Sequence, residues 1–158
     1  MASTKGCGAF GMAGSLVRLA SRVALGACVL AGLAATSAKA DVRVEIDKSS
    51  QRMTVSVDGS PRYNWPVSTG RSGYGTPNGT FHPQAMMRRY FSRKYYNSPM
   101  PHAIFFYYGF AIHGTTDISR LGGPASHGCV RLHPAHAATL FALVSREGPR
   151  NTTIQITN

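Results

Sequence analysis

The sequence predicts a mainly β domain with one packed helix. Three observations carry this reading. Two short runs place apolar residues at every second position, Val42-Val44-Ile46 and Met53-Val55-Val57, as half-buried strands require. Turn-forming pairs such as Asp58-Gly59 separate runs of strand composition. One stretch, Pro134 to Glu147, carries Ala137, Leu140, Phe141 and Val144 at helical spacing.

Taken in order, Asp41 to Glu45 and Gln51 to Val57 read as two strands joined by the turn Asp47-Lys48-Ser49-Ser50. Asp58-Gly59 then turns the chain into a third strand over Tyr63 to Ser68, completing an antiparallel meander. Residues 69–83 are rich in Gly, Pro, Ser and Thr and read as a loop with a turn at Pro77-Asn78-Gly79. Residues 84–101 are basic and aromatic without a clean period. They are expected to form a long surface excursion of the kind that serves as a lid.

His102 to Phe106 and Phe110 to His113 look like core strands around Tyr107-Tyr108-Gly109. A short helix is expected at Asp117 to Leu121, with Asp117 as its N-cap. Pro134 suits the first position of the main helix, and Gly148-Pro149 ends it. Thr152 to Thr157 is the last strand.

The first forty residues stand apart. Lys5, Arg18, Arg22 and Lys39 are their charges, no acid occurs among them, and Val23 to Ala35 is almost wholly apolar or small. The stretch ends Ala38-Lys39-Ala40. A basic start, a short apolar run and an Ala-x-Ala ending predict a secretory signal peptide over 1–40, cleaved before Asp41, and a periplasmic protein. The apolar run is shorter than the ~20 residues a membrane-spanning helix needs, which disfavours a retained anchor. Residues 41–158 are then the functional domain. With four basic residues removed, 17 become 13 against 6 acids, a net charge of about +7. That charge favours anionic partners. Nucleic acid is excluded as one that an exported protein does not meet, and the protein is expected to act as a monomer.

Of three cysteines, Cys7 and Cys28 leave with the leader, and Cys129 remains alone. A lone cysteine in an oxidising compartment cannot form an internal disulfide. It is an intermolecular partner, a buried inert thiol or a reactive one. Its surroundings favour chemistry. Ser126-His127-Gly128-Cys129-Val130-Arg131-Leu132 brings a thiol, an imidazole, a guanidinium and a conformationally free glycine into one segment. A thiol acting in acyl transfer needs a nearby base and backbone N–H groups aimed at the developing oxyanion. His113, at the end of the run Phe110-Ala111-Ile112, is the first candidate base, and His127 the second. A zinc site built from His113, His127, Cys129 and His133 is disfavoured because the spacing matches no usual ligand pattern, so no metal or cofactor is expected.

These segments resemble the L,D-transpeptidase (YkuD) family. His113-Gly114-Thr115, then Ser126-His127-Gly128-Cys129-Val130-Arg131, and upstream Thr76-Pro77-Asn78-Gly79-Thr80-Phe81 stand in that family's order. The resemblance implies a β-sandwich-like catalytic domain. It implies Cys129 as nucleophile, His113 as base oriented by the Gly114 carbonyl, and an oxyanion hole from the backbone N–H groups of His127, Gly128 and Cys129. It further implies that Arg131 and Ser126, with Tyr95 and Tyr96 in the lid, meet substrate.

The implied substrates are peptidoglycan stem peptides. The acceptor is a second stem, giving a 3→3 cross-link, or an outer-membrane protein. Carbapenem-type inhibitors are expected to acylate the thiol. Two other readings stand beside this one: an L,D-carboxypeptidase or wall-protein amide hydrolase using the same acyl-enzyme, and a non-enzymatic wall binder.

Overall fold

A computed structural model describes residues 38–158. The leader expected over 1–40 lies outside the described residues apart from its last three. Eleven strands and one α-helix follow: β1 (Val42–Asp47), β2 (Arg52–Val57), β3 (Ser60–Pro66), β4 (Gly79–Phe81), β5 (Ala85–Met87), β6 (Phe91–Ser92), β7 (Ser98–Pro99), β8 (Ala103–Tyr107), β9 (Phe110–Gly114), β10 (Val130–Leu132), α1 (Pro134–Glu147) and β11 (Thr152–Thr157).

The alternation in β1 and β2 buries Val42, Val44, Ile46, Met53 and Val55 and turns Arg43, Glu45 and Arg52 outward; a register shift after Val55 buries Ser56 and leaves Val57, expected on the inner face, half-buried. The two pair antiparallel, and β3 adds to β2 through Asp58-Gly59. Both turn residues have positive φ, 49° and 75°, as the tight turns that match strand twist require. The third strand begins three residues earlier than expected. The five-stranded sheet runs β3-β2-β1-β11-β4. The C-terminal strand lies parallel to β1, Val44 opposite Ile154, so the two ends of the domain close one sheet.

The second sheet runs β10-β9-β8-β5. Ile104, Phe106, Ile112, Val130 and Leu132 from this sheet join the β1, β2 and β11 side chains and the apolar face of α1 in one buried cluster. Full burial of side chains of this size contributes roughly 1.5–3 kcal/mol each. Helix α1 presents Ala137, Leu140, Phe141, Leu143 and Val144 to this core. Pro134 opens it, and His133 at the N-cap accepts the Ala135 N–H on its Nδ1.

The segment 84–101, expected as a long surface excursion, contains short paired strands. Strand β5 joins the edge of the second sheet, and β6 and β7 form their own small hairpin around a 3-10 turn at Arg93–Tyr95. Strands of two or three residues are too short for a period to show. At 117–121 there is a single 3-10 turn, Ile118–Arg120. Asp117 precedes it, but its carboxylate caps nothing and faces Arg131 at 3.6 Å. The ion pair with Arg131 replaces the expected capping role.

Candidate active site

Strands β9 and β10 run parallel, with Ile112 opposite Val130 and His113 opposite Arg131. This register brings the two sequence segments together: His113 is the penultimate residue of β9, and Cys129 immediately precedes β10. Both line one cavity of about 320 Å³, with Thr115, Asp117, Ser126 and Arg131 around them. A second cavity of about 360 Å³ reaches Cys129 from the other side, walled by Tyr90, Arg93, Lys94, Tyr108 and Phe110. Ser92, Tyr95, Met100 and His127 belong to both walls.

His113 is 6% exposed. Its Nδ1 lies 2.7 Å from the Gly114 carbonyl oxygen. A carbonyl accepts and cannot donate, so Nδ1 carries the hydrogen and Nε2 keeps its lone pair. Burial pushes the imidazole down to about 4; the Gly114 carbonyl partly offsets this, and Arg131 adds to it. Burial pushes the Cys129 thiol up from its ordinary value, while the Ala111 N–H, Arg131 and Lys94 pull the other way. Burial thus favours the uncharged form of both the thiol and the imidazole.

The backbone around Cys129 is tied down by its neighbours. Ser126, fully buried, accepts the Gly128 N–H at 2.9 Å on its Oγ and donates to the Cys129 carbonyl at 2.5 Å. The Gly128 N–H, one of the three expected oxyanion donors, is thus bonded to Ser126. Gly128 has φ of 113°, and a Cβ there would lie 2.5 Å from the Phe110 ring. Thr76 Oγ1 accepts the Gly70 N–H at 2.8 Å and donates to the Gly128 carbonyl at 2.7 Å. Backbone bonds from Ser126 N to Thr69 O and from Arg71 N to Ser126 O stitch the same two segments together.

Ser126, His127 and Arg131 all line the first cavity, as does Tyr95. Tyr95 stacks on the His127 ring at 4.7 Å between centroids. Tyr96 is fully exposed with φ of 52° and stands at the cavity's rim. The second candidate base, His127, has its Nε2 2.8 Å from the Arg71 guanidinium. Among the described residues, no three of His, Cys, Asp and Glu gather as a metal-ligand set. Arg71, Tyr74 and Thr76 were missed as site residues. Thr76 stood inside a recognised turn motif, and Arg71 was the lone cation of a glycine-rich loop.

A search of the curated proteins finds no match. Among solved structures, an L,D-transpeptidase from Mycobacterium smegmatis is 26% identical, with a TM-score of 0.67 over 75% of this chain and 59% of that one. LD transpeptidase LdtMt1 in complex with imipenem is 23% identical, with a TM-score of 0.67 over 75% and 59%. L,D-transpeptidase 3 from Mycobacterium tuberculosis, with a faropenem-derived adduct, is 18% identical, with a TM-score of 0.66 over 75% and 61%. The chain spans less than two thirds of the length of each of these structures. The family model described as the L,D-transpeptidase catalytic domain, YkuD, matches residues 41–156, and by that match this mainly β, one-helix chain belongs to the YkuD family.

Proposed function

We propose that the protein is an exported, periplasmic L,D-transpeptidase acting on peptidoglycan stem peptides through a Cys129 thioester. The observation that carries this reading is the shared cavity of His113 and Cys129, with His113 Nδ1 fixed on the Gly114 carbonyl and Nε2 left as a base.

In the first half-reaction Cys129 Sγ attacks the carbonyl carbon of the meso-diamino acid, and its proton passes to His113 Nε2. The backbone N–H groups of His127 and Cys129 receive the developing oxyanion. The C–N bond to the terminal D-Ala breaks, the amine leaves with the proton from His113, and a thioester remains. In the second half-reaction an acceptor amine gives its proton to His113 and attacks the thioester, and Sγ departs to become the thiol again. Arg131, paired with Asp117 at 3.6 Å, presents a planar fork at the cavity wall suited to a substrate carboxylate.

The acceptor decides the product. A second stem gives a 3→3 cross-link, an outer-membrane protein gives an anchored protein, and water gives a carboxypeptidase. Carbapenems would acylate the same sulfur; the imipenem complex and the faropenem-derived adduct of fold relatives support this expectation.

The test is intact-mass spectrometry of wild type and Cys129→Ala with imipenem and, separately, with a disaccharide-tetrapeptide. An adduct in wild type alone, together with a cross-linked dimer, is the expected result. Tripeptide without dimer would move the reading to a hydrolase or to a protein acceptor. No adduct and no turnover would leave a wall binder.

A further inference from the structure

His127 is gripped from three directions. The Arg71 guanidinium reaches its Nε2 at 2.8 Å. A guanidinium only donates, so Nε2 is the acceptor and the imidazole is neutral, with its hydrogen on Nδ1. Arg71 also lies over the Tyr74 ring at 4.5 Å, and Tyr74 meets the His127 ring edge-on at 4.6 Å. Tyr95 stacks on the His127 ring at 4.7 Å and 24°, and Lys94 lies over the Tyr95 ring at 5.5 Å. Three segments far apart in sequence therefore meet on one imidazole: the 69–79 loop, the loop that carries Cys129, and the 88–101 lid.

The lid makes backbone bonds within itself, Asn97 N to Ser92 O and Met100 N to Tyr90 O. Its 3-10 turn holds no buried residue. Yet Tyr95 stands in the wall common to both cavities, beside Cys129. Ser98 Oγ donates to its carbonyl at 2.6 Å and holds its backbone from within the lid, while its ring rests on the His127 ring outside the lid.

We propose that Arg71 is a positioning residue that acts through His127: it fixes the imidazole as a flat, neutral platform on which Tyr95 seats the lid over Cys129. The functional consequence rests on the reading of Cys129 as nucleophile; the positional claim does not. A protonated ring would set an N–H against the Arg71 donors and add a cation beside Arg71, Lys94 and Arg131, with the Asp117 carboxylate already turned to Arg131. The platform works because the ring is uncharged.

Hydrogen exchange of the full chain, followed over lid peptides 88–101, tests this in wild type, Arg71→Lys, Arg71→Met and Tyr95→Leu, alongside the rate of imipenem acylation. Arg71→Met and Tyr95→Leu are expected to speed lid exchange about tenfold, as the loss of one anchoring contact opens a segment locally. Arg71→Lys keeps a donor for Nε2 and is expected to hold lid exchange near the wild-type rate. Acylation is expected to slow about tenfold in Arg71→Met and to recover in Arg71→Lys, because a misplaced wall costs rate without removing a reacting group. Lid exchange unchanged in Arg71→Met overturns the proposal. If that variant does not fold, Tyr95→Leu decides, since it cuts the same seat from the lid side and leaves Arg71 on His127. Loosened lid exchange in a protein whose wild type imipenem never acylates would sink the catalytic reading and leave the positioning intact.

Discussion

Nδ1 of His113 donates to the carbonyl oxygen of the next residue, Gly114, at 2.7 Å. The backbone thereby does what an acidic side chain does in other nucleophile–base pairs: it fixes the tautomer and aims Nε2. A carbonyl carries no full charge, so it stabilises the protonated ring less than a carboxylate would. Burial wins, and the imidazole stays neutral down to about 4. Acylation of Cys129 by imipenem is accordingly expected to be flat from neutral pH to about 5. It should then fall roughly tenfold per unit below pH 4 as His113 takes up its proton. Stopped-flow fluorescence across pH 3–8 reads this directly. An acid limb centred near 6.5 would mean that the ring is solvated in solution.

The same burial makes a stability prediction of definite sign. In the unfolded chain His113 titrates at its ordinary 6.5, and in the fold at about 4. Between these values the unfolded state binds a proton that the folded state refuses, so stability drops as pH falls from 6.5 toward 4 and is level above. A shift of this size is worth about 3 kcal/mol at most. Urea midpoints at pH 7.5 and 4.5 should fall further apart in wild type than in His113→Asn. Equal falls in the two proteins would place the acid sensitivity elsewhere, His127 and His136 being the other histidines held low by burial and neighbouring charge.

Local pattern was enough to read much of this architecture. The β1–β3 meander, helix α1 with its Pro134 start, and the β8–β9 hairpin are all short-range structures whose period or turn chemistry lies in adjacent residues. What escaped was long-range. Nothing near Thr152 announces that β11 will lie parallel to β1, and the lid strands are two or three residues long. The site divides the same way. Cys129 and His113 stood out by residue type and motif. The Ser126 bridge that consumes the Gly128 N–H, and the Arg71 contact to His127 across 56 positions, are side-chain geometries that no spacing encodes. Asp117 shows the limit from the other side: its position predicts a cap, but the parallel register of β9 and β10 brings Arg131 within 3.6 Å, and the charge outcompetes the cap.

Ser126 is expected to matter through the backbone it holds. Its Oγ joins the Gly128 N–H to the Cys129 carbonyl, closing a small ring at Cys129. Ser126→Ala leaves both groups buried without a partner, at a cost of about 1–3 kcal/mol each. The nucleophile's own N–H is then free to swing, and a misaligned oxyanion donor costs roughly 10²–10³ in rate. The acylation rate should therefore fall far more than stability does. Differential scanning calorimetry and imipenem acylation of the same preparation separate the two. A variant that loses stability but acylates at the wild-type rate would show that the ring holds the fold and not the donor.

Thr76 makes the corresponding prediction from the other side of the loop. Its hydroxyl accepts from Gly70 and donates to Gly128, and it is 4% exposed, so water has little room to replace it. Thr76→Ser keeps the hydroxyl and is expected to stay within about 1 kcal/mol of wild type, its loss being one methyl group. Thr76→Val keeps the shape and strips both hydrogen bonds, and should cost roughly 2–5 kcal/mol, since two buried backbone groups lose their partner at once. A Cβ at Gly70 would overlap the Tyr74 carbonyl oxygen, which marks how closely the loop doubles back. Urea unfolding of the three proteins gives the ordering wild type, Ser, Val. If valine matched serine, the hydroxyl would be contributing shape alone, and the link between the 69–79 loop and Cys129 would rest on the backbone bonds from Thr69 and Arg71 to Ser126.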